Sequence, residues 1–380
     1  GINGTTFKTT EQFASGEVTY LLQQGQEDQT AQVWGQLIGT DEFPQLTFEN
    51  HVYYASRKTQ DNVILERFYT NKENADILVQ VEYDENGFND EYNVYQPAVL
   101  NGGVYEISNA GQLYWFAEYV GESEEHLSAN AKLMKDIIIN ENVLDKNGNL
   151  NGNGSNFRKW TPIGNEDDTY TGRFDGDNHT ISGLYLNSSE KYVGLFRYIG
   201  EKGTVENVGL IDNYMSGKFV GGITDENIGT IENCYNTGTI KAEFAGGIAS
   251  YNIKGKITDC HYTGTISAEF AGGIAGYNMS GTIENCYNTG TVSGTEYACG
   301  ILGYNLGTII NCYNTGTVSG AEYIGSILVE NNGKISNCFY LDDNETDKLD
   351  GTAFKTTKQF AHCKLLCCYD LIFRLYKILV

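Results

Sequence analysis

Residues 281–306 read GTIENCYNTGTVSGTEYACGILGYNL, and residues 255–280 read GKITDCHYTGTISAEFAGGIAGYNMS, nearly the same text one unit earlier. Working outward, residues 203–228, 229–254 and 307–332 follow the same plan, and a further unit starts at Gly333 and breaks off. Cys234, Cys260, Cys286, Cys312 and Cys338 stand 26 residues apart, and Ile231, Ile257, Ile283, Ile309 and Ile335, three positions earlier, keep the same step. Self-similarity at such a period marks a solenoid, in which each unit buries its apolar face only against its neighbours. Each unit holds three short β-prone pieces, such as Thr282-Ile283-Glu284, Gly290-Thr291-Val292 and Gly273-Ile274-Ala275, separated by Asn, Gly and Ser clusters that supply turns. In the units at 203 and 281 an extra residue before the Gly-Ile element is offset by a deletion after it, a slack that the pattern assigns to turns.

Three strands per coil in repeated register predict an all-β fold, a parallel β-helix, right-handed by the crossover rule. Ile and Cys are separated by an odd number of positions, so both point inward only if the chain bends between them. The residue between is Asn233, Asp259, Asn285, Asn311 or Asn337, suited to a left-handed bend and to amide bonds from coil to coil. The exposed strand edge at the start of a solenoid calls for a cap. Asn109-Ala110-Gly111-Gln112 has capping-box spacing, and Leu113, Phe116, Ala117 and Val120 lie on one helical face after it. Residues 135–140, 160–164, 172–186 and 192–198 read as less regular first coils, with 144–154 as a protruding loop.

The 380 residues carry 45 glycines, three prolines and 27 tyrosines, a turn-rich β composition. A net charge of −24 sets nucleic acid and anionic membranes aside as partners. No run of 18 uncharged apolar residues forms a membrane span, and Gly1-Ile2-Asn3-Gly4 has no signal-peptide character, so the start is expected to be a cut inside a longer protein. Of nine cysteines, five form the ladder, Cys363, Cys367 and Cys368 lie in an odd terminal stretch, and Cys299 stands apart. Stacked ladder cysteines have parallel Cβ vectors, which favours buried free thiols over disulfides, and no CxxC or His pairing suggests a metal.

A longer repeat divides the chain. GTTFKTTEQFA at 4–14 returns as GTAFKTTKQFA at 351–361, with nine of eleven positions identical. Residues 1–46 are therefore expected to be the tail of a preceding module, 47–100 a small strand-rich spacer, 101–346 the β-helix, and 347–361 the start of the next tail. Residues 362–380 break the likeness and read as a frameshifted or truncated end.

Gly273-Ile274-Ala275-Gly276-Tyr277-Asn278, with Gly281-Thr282-Ile283-Glu284-Asn285-Cys286-Tyr287-Asn288 after it, resembles the GLUG-motif repeats of bacterial surface proteins. Gly300-Ile301-Leu302-Gly303 also fits the motif, whereas 247–250, 222–225 and 326–329 depart from it. Residues 174–184, FDGDNHTISGL, resemble the opening coils that precede such repeats in proteins of gut Firmicutes. The resemblance covers about residues 104–341. It implies surface display, in adhesins or beside immunoglobulin A peptidases, and no established chemistry.

A β-helix enzyme acting on polysaccharide would need carboxylates grouped with basic residues on one outer face. Asp175 and Asp177 are the best local pair, but Phe-Asp-Gly-Asp-Asn is also a good turn. Residues 145–149 and 342–347 could bind calcium but lack the ligand spacing of a known loop. His51, His126, His179, His261 and His362 are scattered singly. The pattern that recurs once per coil is Glu243-Phe244, Glu269-Phe270, Glu296-Tyr297 and Glu322-Tyr323, a ladder of carboxylates and rings suited to an extended ligand such as a glycan. Strand alternation predicts that only one of its two rows faces out. Tyr235, Tyr262, Tyr287 and Tyr313 suggest another row. The resulting expectation is a non-catalytic, extracellular adhesion or binding stalk that contacts glycans or host surface proteins, with no required cofactor. Its rivals are a glycan-active enzyme and a passive spacer.

Overall fold

The computed structural model describes residues 8–26, 31–47, 49–58, 64–72, 83–90, 94–164, 169–187, 192–320, 322–341 and 352–355. The chain divides into two compact units, Gly1–Gln96 and Pro97–Val380. The expected calcium loop at 342–347, the terminal cysteines and the aberrant end fall outside the described residues.

In the first unit, helix α1 (Thr10–Ala14) and helix α2 (Glu17–Gln24) meet at Gly16, whose φ of 89° suits a residue without a Cβ. Thr9 caps α1 through a reciprocal box: its hydroxyl accepts from the Gln12 N–H at 3.2 Å, and the Gln12 side chain accepts from the Thr9 N–H at 2.9 Å. Buried Gln36 ties the helices to the next loop, donating to Phe13 O at 2.9 Å and Asp41 O at 2.7 Å while accepting from Thr19 Oγ1 at 2.5 Å. Two-residue strands Trp34–Gly35 and Gln45–Leu46 pair antiparallel, as do Tyr53–Lys58 and Ile64–Tyr69.

The second unit is a parallel β-solenoid. Its cap helix α3 (Ala110–Glu122) buries Leu113, Phe116, Ala117 and Val120, the face set by their spacing. Asn109 caps it, accepting from the Gln112 N–H at 2.9 Å, and the Gln112 side chain reaches back to the Ser108 N–H at 2.7 Å.

Each regular coil has four strands rather than three, stacked into four sheets. In the coil beginning at 281 they are Thr282–Glu284 in sheet A, Tyr287–Asn288 in sheet B, Thr291–Cys299 in sheet C and Leu302–Asn305 in sheet D. The pair Tyr-Asn, which lies outside the three strand pieces expected from sequence, is a strand because its backbone bonds to the same pair one coil away. Sheet A starts at a hairpin, Val99–Asn101 with Val104–Ile107, turned by Gly102 and Gly103 at φ 57° and 84°. Sheet B ends in Thr352–Lys355, which pairs parallel with Cys338–Leu341. The extra residue of the coil at 281 sits not in a turn but in a bulge of sheet C, where Ala268 pairs with Gly294 and Phe270 with Tyr297. The 144–154 loop does not protrude. Leu144, Leu150 and Phe157 pack on Val143, Tyr185 and Tyr214, Asp212 accepts the N–H groups of Val143 and Leu144 at 3.0 and 2.8 Å, and Thr239 donates to Gly148 O at 2.6 Å.

Inside, Ile231, Ile257, Ile283 and Ile309 are completely buried, as are Cys234, Cys260, Cys286 and Cys312; the described cysteines are free. Each ladder thiol donates to the carbonyl two residues before it, at 3.1 Å for Cys260 and Cys286. Three corners of the coil are built on stacked amides. Between sheets A and B, Asn233, Asp259, Asn285, Asn311 and Asn337 all hold φ between 51° and 55°. There Asn285 donates to Asp259, Asn311 to Asn285 and Asn337 to Asn311, at 3.1, 3.1 and 2.6 Å. Between D and A a second row has its first four members buried: Asn227, Asn252, Asn278 and Asn305 each donate to the Oδ1 of the next, ending on exposed Asn331, at 2.9, 3.0, 3.0 and 2.8 Å. Between B and C, Asn236, Asn288 and Asn314 accept from the glycine N–H two residues on at 2.9 to 3.0 Å. The fourth corner admits no side chain at Gly273, where a Cβ would lie 2.1 Å from Gly300 O.

Replacing Asn278 with Leu removes donors to Asn305 Oδ1 and Gly281 O and the acceptor of Asn252. With about 1–3 kcal/mol lost per orphaned buried group, denaturant unfolding should show a loss of at least ~2 kcal/mol. Asn285→Gly, which keeps the left-handed bend at the more accessible corner, should cost less than about 1 kcal/mol in the same measurement.

Candidate functional site

The once-per-coil Glu-ring pairs lie near the end of the sheet C strands. Pairing runs from Thr239–Ala242 on Thr265–Ala268 and resumes at Phe244–Gly246 on Phe270–Gly272, which leaves Glu243 and Glu269 at the break. That break cancels the alternation. Ala245 and Ala271 turn inward, yet both members of the preceding pairs stay at the surface, with Glu243 and Phe244 partly exposed and Glu269 exposed. Glu296 and Tyr297 are also partly exposed, while Glu322 and Tyr323 are exposed.

The rings form one continuous stack, Tyr192, Phe219, Phe244, Phe270, Tyr297 and Tyr323, with centroids 4.6 to 5.7 Å apart and planes within 23° of parallel. A second row from sheet D runs beside it. Tyr251 stacks on Tyr277 at 5.2 Å, Tyr277 meets Tyr304 at 5.9 Å, and the rows touch through Phe219–Tyr251 and Phe244–Tyr277. The sequence reading missed this second row, although its signal, an aromatic one residue before Asn252, Asn278 and Asn305, was present. Stacking covers the ring faces, so the surface offers ring edges and phenol oxygens rather than flat platforms.

Lys218 heads the carboxylate row, 3.3 Å from Glu243 and 5.5 Å above the Phe219 ring. Farther on, partial desolvation and the neighbouring charges of Glu269 and Glu322 raise the Glu296 carboxyl above its ordinary range. Glu322 in turn raises the Tyr323 phenol. The described length is thus an acidic rail along an aromatic edge.

The second expected tyrosine row is real but differs by one member. Tyr235, His261, Tyr287 and Tyr313 stack at 4.7 to 4.9 Å with planes within 9°, and His261 stands where Tyr262 was expected. Tyr262 is instead fully buried at the amide corner, in register with Asn236 and Asn288, its hydroxyl donating to Gly238 O at 2.9 Å. Burial lowers the His261 pKa to about 4, so the ring is neutral in the stack.

Asp175 and Asp177 do have basic partners, brought by strand pairing rather than by local sequence alone. Arg173 lies 3.1 Å from Asp175 and pairs with Glu206, and Lys132, one coil earlier, lies 3.0 Å from Asp177. Burial acts to raise the Asp175 pKa, but the Asn207 amide, the Asp177 N–H and the charges of Arg173 and Lys132 together lower it. Arg173 is shared by Asp175 and Glu206, and Lys132 serves Asp177, so each of these carboxylates has a cationic partner. His179 faces Asp136 at 3.3 Å. Asp145 accepts the N–H groups of Asn147 and Asn149 at 2.8 and 2.9 Å, making a turn. Among the described residues no three His, Cys, Asp or Glu side chains converge as metal ligands, and no helix is long and apolar enough to cross a membrane.

Residues 271–293 match the family model described as "The GLUG motif". Over 134 residues the chain is 31% identical to a "Putative Gly-rich membrane protein" of Evansella cellulosilytica, covering 34% of this chain, and over 89 residues 37% identical to "Halomucin" of Haloquadratum walsbyi, covering 23%. The matched regions span only 14% and 1% of those relatives' lengths. A crystal structure described as that of "a putative immunoglobulin A1 protease from Bacteroides ovatus" superposes with a TM-score of 0.52 at 22% identity, over 74% of this chain and 89% of that one. The chain is a β-solenoid that carries the GLUG motif.

Two titrations test these rows. A neutral His261 stabilises the fold above its unfolded pKa near 6.5, and that contribution is lost as pH falls from there toward about 4. His261→Tyr should therefore flatten the fall of Tm between pH 7 and pH 4. A raised Glu296 carboxyl binds protons more tightly folded than unfolded, so its charge opposes folding at neutral pH. Glu296→Gln should raise Tm slightly at pH 7, with the gain disappearing as pH falls through the carboxylate range; a gain that persisted in acid would rule out repulsion as its source.

Proposed function

We propose that this chain is a non-catalytic module of an extracellular, surface-displayed protein, a rigid stalk that adheres through the Glu-ring face of sheet C and contacts glycans or host surface proteins. The observation that carries this reading is the row Glu269, Glu296 and Glu322 beside the edges of Phe270, Tyr297 and Tyr323, repeated at the coil spacing. Adjacent coils lie roughly 4.8 Å apart, so an extended chain lying along the axis meets the same group at each step. Carboxylates and phenol oxygens would hydrogen-bond sugar hydroxyls from the side, with no need for a free ring face. The GLUG motif and the likeness to a membrane protein and a halomucin support display at a surface. The likeness to a structure described as a protease is one of fold, and Asp175 and Asp177 are each engaged by a cation, Arg173 and Lys132.

One observation favours a second reading, a passive spacer: stacking occupies the ring faces that sugar-binding sites commonly use. Binding of the full chain to an array of mucin-type and plant-type glycans, with and without calcium, separates the two. Adhesion predicts reproducible binding that falls about tenfold or more in Glu269→Gln/Glu296→Gln, at about 1.5–3 kcal/mol per hydrogen bond to a charged group. Silence across the array from folded protein supports the spacer.

A further inference from the structure

One ammonium already sits on the Glu row, and it comes from the chain itself. Lys218 occupies the same column one coil before Glu243, because Gly217 pairs with Ala242 and Phe219 with Phe244. Its ammonium lies 3.3 Å from the Glu243 carboxylate and 5.5 Å from the centre of the Phe219 ring. A primary ammonium suits that place, since it pairs with the carboxylate and is drawn to the electron-rich ring beside it. The column continues as Glu269, Glu296 and Glu322, each next to an aromatic ring, and among the described residues no cation forms an ion pair with these three.

An ammonium carries three N–H donors and no acceptor. Between two coils it meets the carboxylates of two successive glutamates, and the adjoining tyrosine row offers a phenol oxygen for the third bond. The rows touch through Phe244 and Tyr277 at 6.0 Å, and the Tyr277 phenol, raised by burial and by Tyr297, also feels the charge of Glu296. A neutral hydroxyl in the same gap leaves the repulsion between the glutamates in place. Spacing then selects the scaffold. Coils are roughly 4.8 Å apart, whereas same-face side chains of an extended peptide recur at about 6.4–6.8 Å and fall out of step. In a flat 1,4-linked polysaccharide two sugars advance the chain by close to two coil spacings, so amines on one side stay in register with the row.

We propose that the ligand of this face is an amino-sugar polymer with free primary amines, lying along the solenoid axis with its ammonium groups seated between successive glutamates as Lys218 is seated on Glu243. The proposal rests on the reading that the Glu-ring face of sheet C binds a ligand, and it names the class. Lys218 then marks the end of the open row, because it fills the place that a further ammonium of the polymer would take.

Calorimetric titration of the full chain tests this, using a 1,4-linked glucosamine hexamer, its fully N-acetylated counterpart and a hexalysine peptide, at low salt and without calcium. The glucosamine hexamer should bind about tenfold or more tighter than the other two, and added salt should weaken it as exposed charges are screened. Glu269→Gln/Glu296→Gln should lose that binding. Lys218→Gln, which vacates Glu243, should bind the hexamer more tightly, whereas Lys241→Gln makes the same change of charge at an exposed lysine beside Tyr214, outside the row, and should gain less. Unchanged circular dichroism and melting check that each variant is folded, and if the double variant misfolds, the comparison of Lys218→Gln with Lys241→Gln carries the test. Equal binding of the N-acetylated hexamer would overturn the ligand class while leaving adhesion standing; silence toward all three, together with silence on the glycan array, would remove both. Tighter binding of hexalysine would assign the face to a basic protein instead, and equal gains from the two lysine variants, or binding that requires calcium, would also overturn the proposal.

Discussion

Every side chain in this solenoid must tolerate a near copy of itself one strand spacing away, and that requirement governs the rest. An amide meets it fully, because Asn both donates and accepts, and the row from buried Asn227 runs four bonds without a break, surfacing only at Asn331. Flat rings meet it by lying face to face. Thiols meet it by turning to carbonyls and remaining small. Carboxylates do not meet it, since they accept only and repel each other, and they are left on the outside, where Glu296 carries the effect of its neighbours.

The places where a row changes identity obey the same logic. Asp259 can accept from Asn285 but has no N–H to pass on, so the outer amide row is interrupted at a corner where water can substitute. Tyr262 replaces an internal Asn and reaches past it to the carbonyl of Gly238. His261 fits between two tyrosines because burial keeps it uncharged. Lys218 stands at the head of the glutamates and relieves the first of them.

The period, the inward Ile-Cys ladder, the left-handed Asn corner and the cap helix were legible in sequence because each depends on spacing along one chain. The two-residue strand Tyr287–Asn288 was not, since it becomes a strand only through its neighbour above and below. Nor was the outward turn of Glu243 and Glu269, which depends on a break in pairing between coils. Matching residue type rather than the 26-residue step placed Tyr262 in the wrong row: positions 235, 261, 287 and 313 keep the step, and 261 is a histidine. Lys132 beside Asp177 joins residues 45 positions apart (177 − 132) and has no local signature.

The backbone bonds that join one coil to the next point along the long axis of the solenoid. A pull on its two ends therefore loads these bonds in the direction in which they open; every interface between coils carries the same tension, and the outermost coil, held by a neighbour on one side only, yields first. Yielding proceeds as peeling, not as the simultaneous shearing of a whole sheet. Each 26-residue coil released adds roughly 85–95 Å of chain, at 3.3–3.6 Å per extended residue. A tether built this way lengthens in equal steps at nearly constant force, absorbing a sudden load while the coils behind the front remain folded.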